Sequence, residues 1–169
     1  GAGGGDRVRY RIALPERAAP VEGAVSLRLP GALLAEIRRH GSAAYPAECC
    51  GALVGRSGGN GAGGKEAVRL WPAVNRRTDD PHRYLIAPDD LRRLEREVRA
   101  EGLEIVGYYH SHPDHPAVPS AYDTAHAWPW YSYLIVRIEQ GQPREAASYT
   151  LDPDRPLMHS EPLEVLSEV

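Results

Sequence analysis

The sequence predicts an α/β domain built on a single mixed β-sheet flanked by helices. Short apolar or alternating runs outnumber the segments with helical periodicity, so strands should dominate. Helical segments do not follow every strand, which argues against a doubly wound parallel sheet. No internal repeat is present, which removes solenoids and propellers. At 169 residues, one compact domain with its own core is the expected size.

Residues 1–24 read as a flexible arm. Gly1 to Gly5 is linker chemistry, and Val8, Tyr10, Ile12 and Leu14 alternate with arginines as a half-buried strand would, until Pro15 interrupts. The domain proper is placed at residues 25–169. A short strand at 25–29 leads into Pro30 and Gly31, after which Leu33, Leu34 and Ile37 share a helical face and Gly41 offers a stop. Residues 50–55 form a buried strand, and the glycine-rich run 57–64 loops to a partner near 67–74, making a hairpin. Residues 83–86 read as a further strand. Pro88, Asp89 and Asp90 then open a helix whose Leu91, Leu94 and Val98 share a face, and Gly102 closes it. A strongly strand-like stretch at 104–111, a loop with three prolines, and strands at 132–138 and 146–151 complete the sheet. Trp128, Trp130, Tyr131 and Tyr133 are expected to pack along a core edge.

Charge and cysteine content narrow the function. Twenty basic and twenty-three acidic residues are interspersed, with a formal net charge of −3, so neither nucleic acid nor an anionic membrane is an expected partner. Cys49 and Cys50 are neighbours, too close for a relaxed disulfide. With no apolar run long enough to span a bilayer and no signal pattern, the expected location is a reducing cytoplasm.

The chemistry concentrates in residues 110–126, HSHPDHPAVPSAYDTAH. Side chains alternate along a strand, so His110 and His112 face one way and Ser111 the other. Pro113 then turns the chain off the sheet, and the loop can return Asp123 as a third ligand. Two imidazoles and one carboxylate suit Zn²⁺ with a fourth position open, the pattern of catalytic sites. Ser120 and Asp123 also read as a capping box opening a short helix, and the two readings can coexist; for Ser120 the spacing alone favours the cap. Such a site needs a general base from elsewhere, and Glu48, just before the 50–55 strand, is the candidate. Asp114 and His115 suit supporting or solvent roles better than ligation, and His126 either orients a ligand or caps the helix.

These residues carry a resemblance. His110-Ser111-His112-Pro113, Ser120 eight residues after His112, and Asp123 three further on match the H-[ST]-H-P-x6-S-x2-D signature of the JAMM (MPN+) metalloproteases, and the segment from Glu48 to Gly55 is similar to that family's Glu-bearing strand. The resemblance implies an MPN-like fold with layering like that of cytidine deaminases. It implies Zn²⁺ held by His110, His112 and Asp123, with Glu48 as general base and acid to a metal-held water. Ser120 would help to stabilise the tetrahedral intermediate. The implied reaction is cleavage of a peptide or isopeptide bond after the C-terminal Gly-Gly of a ubiquitin-like or sulfur-carrier protein, in the manner of the compact bacterial members. The alternatives are a non-catalytic MPN-type scaffold, disfavoured because no matched position is substituted, and a thiol hydrolase using Cys49 or Cys50, which chelator sensitivity would separate. A zinc deaminase is disfavoured because the P-C-x-x-C ligand pair is missing. The sequence sets neither the oligomeric state nor the identity of the carrier.

Overall fold

The computed structural model describes residues 26–58, 64–80 and 83–167; the arm expected at 1–24 lies outside them. β1 (Leu27–Pro30) runs directly into α1 (Gly31–Ala44), followed by the antiparallel pair β2 (Cys50–Ser57) and β3 (Lys65–Ala73). α2 (Pro88–Ala100), β4 (Glu104–Pro113), the short α3 (Ala121–His126), β5 (Ser132–Glu139), β6 (Gln142–Leu151), β7 (Met158–Glu161) and β8 (Leu163–Leu166) complete the chain. The strand order is β7-β6-β5-β4-β2-β3-β1-β8. The β4–β5, β1–β3 and β1–β8 pairs are parallel and the others antiparallel, so the sheet is mixed and flanked by helices as expected.

Three local expectations are corrected. Gly41 does not stop α1, which continues to Ala44. A Cβ at Gly41 would sit 2.8 Å from Ile138 Cδ1, so the glycine serves a close crossing of helix over sheet; the stop falls before Pro46, where the residue preceding a proline disfavours helix. Residues 83–86 join no strand of the sheet; their backbone is held instead by the loop after β3, where the Arg76 N–H donates to the Leu85 carbonyl at 2.8 Å. Trp128 and Trp130 are 69% and 46% exposed and do not line a core edge, whereas Tyr133 is buried and Tyr131 packs half-buried against the core as expected.

α1 covers one face of the sheet over a core that includes Leu29, Ile37, Leu53, Val106, Tyr109 and Ile138. α2 covers the other face, with Leu94 and Val98 against Ala52, Val54 and Ile105. A single extra residue in β4 decides which face receives the histidines. Leu53 pairs with Gly107 and Val54 with Ile105, so Val106 is an inserted residue opposite β2. Such a bulge reverses the alternation beyond it. Ile105 and Tyr108 therefore face α2, Val106 and Tyr109 face α1, and His110 and His112 fall in phase with Tyr108. Gly107 makes this possible, since a Cβ there would lie 2.2 Å from the Ser132 carbonyl oxygen of β5.

The two ends of the strand order are neighbours in sequence. Only Pro162 separates β7 from β8, so the sheet curls until its edges approach, and the Leu27 N–H donates to the Pro162 carbonyl at 2.9 Å. Lys65 spans the curl's interior. Its Nζ donates to the Trp130 carbonyl and, at 2.9 Å, to Ser132 Oγ, and lies 3.5 Å from Glu161 Oε2, while Glu161 Oε1 accepts from the Ser148 hydroxyl at 2.8 Å. Each charge in this buried group has an ionic or hydrogen-bonded partner, as burial demands.

Candidate functional site

β4 delivers His110 and His112 with their Nε2 atoms 3.1 Å apart. Asp123 Oδ2 lies 3.0 Å from His112 Nε2 and 3.2 Å from His110 Nε2. The start of α3 fixes that carboxylate: Ser120 Oγ accepts the Asp123 N–H at 3.1 Å, and Asp123 Oδ2 accepts the Ser120 N–H at 2.8 Å. The capping box and the carboxylate facing the histidines are thus one structure. Glu48, 2% exposed, stands two residues ahead of β2 with Oε1 3.9 Å from His112 Nε2. Its Oε2 is buried without a hydrogen-bond partner.

The two carboxyls differ sharply. Burial first, then the charges of Asp123 and Asp80, push the Glu48 carboxyl up to about 9. Burial alone would also raise Asp123, but the His110 and His112 imidazoles outweigh it and hold that carboxyl well below the usual carboxylate range. Without a metal, one carboxyl favours its proton and the other its charge, a contrast set by their surroundings.

The surroundings orient the rings. His112 Nδ1 donates to the Pro116 carbonyl at 2.7 Å, which turns Nε2 towards His110 and Asp123. His115 stacks on His112 at 4.1 Å between centroids, and its own Nδ1 donates to the Pro113 carbonyl at 2.8 Å. The proline loop therefore leaves the sheet and turns its carbonyls back onto the histidines. His110 is held differently: its Nδ1 is buried without a hydrogen-bond partner, and its ring stacks against Tyr84 at 4.6 Å. Asp114 points elsewhere, accepting from the Tyr45 hydroxyl and from the Gln140 N–H at 2.7 Å. His126 donates through Nδ1 to the Tyr122 carbonyl at 2.8 Å, so it braces its own helix. Cys49 and Cys50 are buried, and burial pushes their thiols up to about 11 and about 12, which removes the thiolate a cysteine mechanism needs.

The donor set fits a divalent cation. Two imidazole nitrogens and an anionic carboxylate oxygen converge within 3.2 Å of one another, and acceptor atoms so placed repel unless a cation or a proton lies between them. Glu48, His110 and His112 also offer ligand atoms that all lie within 4.8 Å of each other, so geometry alone admits either carboxylate as the third ligand. Asp123 is nearer to both rings and locked by its cap, whereas Glu48 is set back with a carboxyl that favours its proton. Sequence reasoning did not find Asn75 or Tyr84. Tyr84 was hidden inside a segment that reads as a strand, and Asn75 carries no signal beyond a common turn residue.

A cluster able to hold a metal ion stands at the end of a parallel-paired strand in a mixed sheet, and comparison with known proteins gives the family of the chain. The family model described as prokaryotic homologs of the JAB domain matches residues 30–152, and the chain belongs to that family. Among its relatives, the desampylase of Haloferax volcanii is 33% identical over 104 residues, covering 61% of this chain and 71% of that protein. The probable TtuB-protein conjugate cleaving protease of Thermus thermophilus is 34% identical over 109 residues, 64% of this chain and 68% of that one. The solution structure of a protein from Salinibacter ruber, 38% identical, superposes with a TM-score of 0.64 over 82% of this chain and 91% of that chain.

Proposed function

We propose that the chain is a zinc-dependent peptidase or isopeptidase that hydrolyses the bond after the C-terminal Gly-Gly of a ubiquitin-like or sulfur-carrier protein. The observation that carries this reading is the convergence of His110, His112 and Asp123 beside the buried, proton-favouring Glu48. The names of the two relatives support the substrate class, since one is a desampylase and the other is described as cleaving protein conjugates. His110 Nε2, His112 Nε2 and Asp123 Oδ2 would hold the ion, and Zn²⁺ bound there supplies a Lewis acid with an open position. With a cation held there favouring its ionised form, Glu48 would take a proton from the attacking water and return it to the leaving amine. The Ser120 hydroxyl oxygen accepts from the Asp123 N–H, so its own proton is free to reach an oxyanion at the scissile carbonyl. Two free, buried cysteines fit a reducing cytoplasm. Among the described residues no helix is long and apolar enough to cross a membrane.

A glycine tail suits such a site because a chain without Cβ atoms can pass close to protein backbone. The flexibility of that tail costs entropy, which contacts with the folded body of the carrier must offset. The test compares three substrates of the zinc-loaded protein: a folded carrier fused through its Gly-Gly to a short extension, a bare peptide with the same tail, and the fusion with its last glycine changed to Val. Cleavage after Gly-Gly on the fusion, with a large loss of kcat/KM on the other two, is expected. Equal kcat/KM on carrier and peptide would overturn the two-part recognition. No cleavage of any Gly-Gly fusion would instead favour a partner-binding scaffold.

A further inference from the structure

Asn75, half-buried just after β3, uses its side chain four times. Its Nδ2 donates to the Glu48 carbonyl at 3.2 Å and to the Arg83 carbonyl at 3.0 Å, while its Oδ1 accepts the Arg77 N–H at 2.9 Å and the Leu85 N–H at 3.0 Å. That exhausts the two donors and two acceptor lone pairs of an amide. The Arg76 N–H adds a backbone bond to the Leu85 carbonyl at 2.8 Å. One side chain thus joins the backbone of the candidate base to the segment at 83–87.

That segment in turn forms a wall of the metal-binding cluster. Tyr84 stacks on His110, whose buried Nδ1 has no hydrogen-bond partner, unlike that of His112. Metal-ligating histidines are usually oriented by a hydrogen bond from their second nitrogen; here a ring face does that work. The segment is also pinned to α3, because the Tyr122 hydroxyl donates to the Tyr84 carbonyl at 3.2 Å and the Arg77 and Arg83 guanidinium groups lie 5.4 and 5.0 Å from the Tyr122 ring centre.

We propose that Asn75 is a positioning residue, tying the Glu48 backbone and the Tyr84 wall into one unit so that base and metal-binding rings keep a fixed relation. The proposal rests on the hydrolase reading for its kinetic consequence and is independent of it for its metal consequence. Two substitutions separate the two arms. Asn75→Ala removes all four bonds. Asn75→Asp keeps an acceptor for the Arg77 and Leu85 N–H groups but places a carboxylate against the Glu48 and Arg83 carbonyls.

The measurements are zinc affinity by chelator competition, amide hydrogen exchange at Arg77 and Leu85, and kcat and KM on the Gly-Gly fusion at saturating zinc. Asn75→Ala should expose both amides to exchange and weaken zinc binding by about 10-fold, the low end for losing a ligand-orienting contact. Asn75→Asp should keep the amides protected and zinc affinity near the parent's. Both variants should lose about 10-fold or more in kcat with KM within about 2-fold, because a displaced base impairs the reaction and not binding. The proposal is overturned if Asn75→Asp keeps kcat within about 2-fold of the parent, or if Asn75→Ala binds zinc as tightly as the parent. Should the parent cleave no Gly-Gly fusion, the hydrolase reading fails, and zinc affinity and exchange alone decide whether Asn75 positions the site.

Discussion

Glu48→Gln offers a way to read the candidate base without turnover. In the metal-free chain the carboxyl is pushed up to about 9 from an ordinary value of 4.5, with burial the largest cause. An acid whose folded value is raised contributes its full stability below the unfolded value and loses it as pH rises towards the folded one. Between pH 5 and 8 the unfolded chain releases this proton while the folded chain keeps it. At about 1.4 kcal/mol per pH unit, the loss reaches a ceiling of about 4 kcal/mol over that range. Glutamine matches the protonated acid in shape and does not titrate, so the variant escapes the loss. Urea unfolding of metal-free parent and variant at pH 5 and pH 8 measures it, and titrating groups remote from Glu48 cancel in the comparison. The variant should gain on the parent by at least about 1 kcal/mol on going from pH 5 to 8. Saturating zinc should shrink the gain, because a cation among His110, His112 and Asp123 favours the ionised carboxyl. With zinc bound, kcat should fall by about 10²- to 10⁴-fold, the usual worth of a positioned acid–base group. A stability difference that is the same at both pH values would refute the reasoning about the Glu48 environment.

The remaining expectations are more direct. The purified chain should carry about one zinc per molecule, and His112→Ala or Asp123→Ala should abolish it; elemental analysis showing full zinc retention in either would sink the ligand assignment. Cys50→Ser should leave kcat within about 3-fold, since an un-ionised buried thiol gives no nucleophile; an inactive variant that still binds zinc would revive the thiol mechanism. Gly107→Ala should cost at least about 2 kcal/mol in urea unfolding, because its Cβ meets backbone and not a movable side chain. It should also lower zinc content, since the bulge at that point sets the phase of both histidines. Normal zinc binding in a well-folded Gly107→Ala protein would contradict this.

Much of the site could be read from spacing because its parts are local. His110 and His112 share a face through strand alternation, and Ser120 with Asp123 form a cap whose geometry spans three residues. Tertiary pairing decided what local pattern could not. The inserted Val106 exists only relative to β2, so nothing in the residues of β4 reveals that the histidines turn to the face covered by α2. Residues 83–86 have the composition of a strand, yet they enter the sheet nowhere and are held by the Asn75 side chain and a backbone bond from Arg76. β7 and β8, four residues each and separated by Pro162, are too short to show a period. Gly41 looks like a helix stop until Ile138 is seen packed against it.

Lys65 is the only lysine in the sequence, and it is 3% exposed, its ammonium engaged with Ser132 and Glu161 inside the curled sheet. The other nineteen of its twenty lysine and arginine residues are arginines, whose guanidinium groups stay protonated and are poor nucleophiles. An isopeptide bond begins with an accessible primary amine attacking an activated carboxyl terminus. Across its described surface this chain therefore presents no side-chain amine as an acceptor, and the bond it is proposed to cut cannot be made on its own lysine while it stays folded. Amine-directed acylating reagents should therefore leave the side chains of the folded, described residues unmodified.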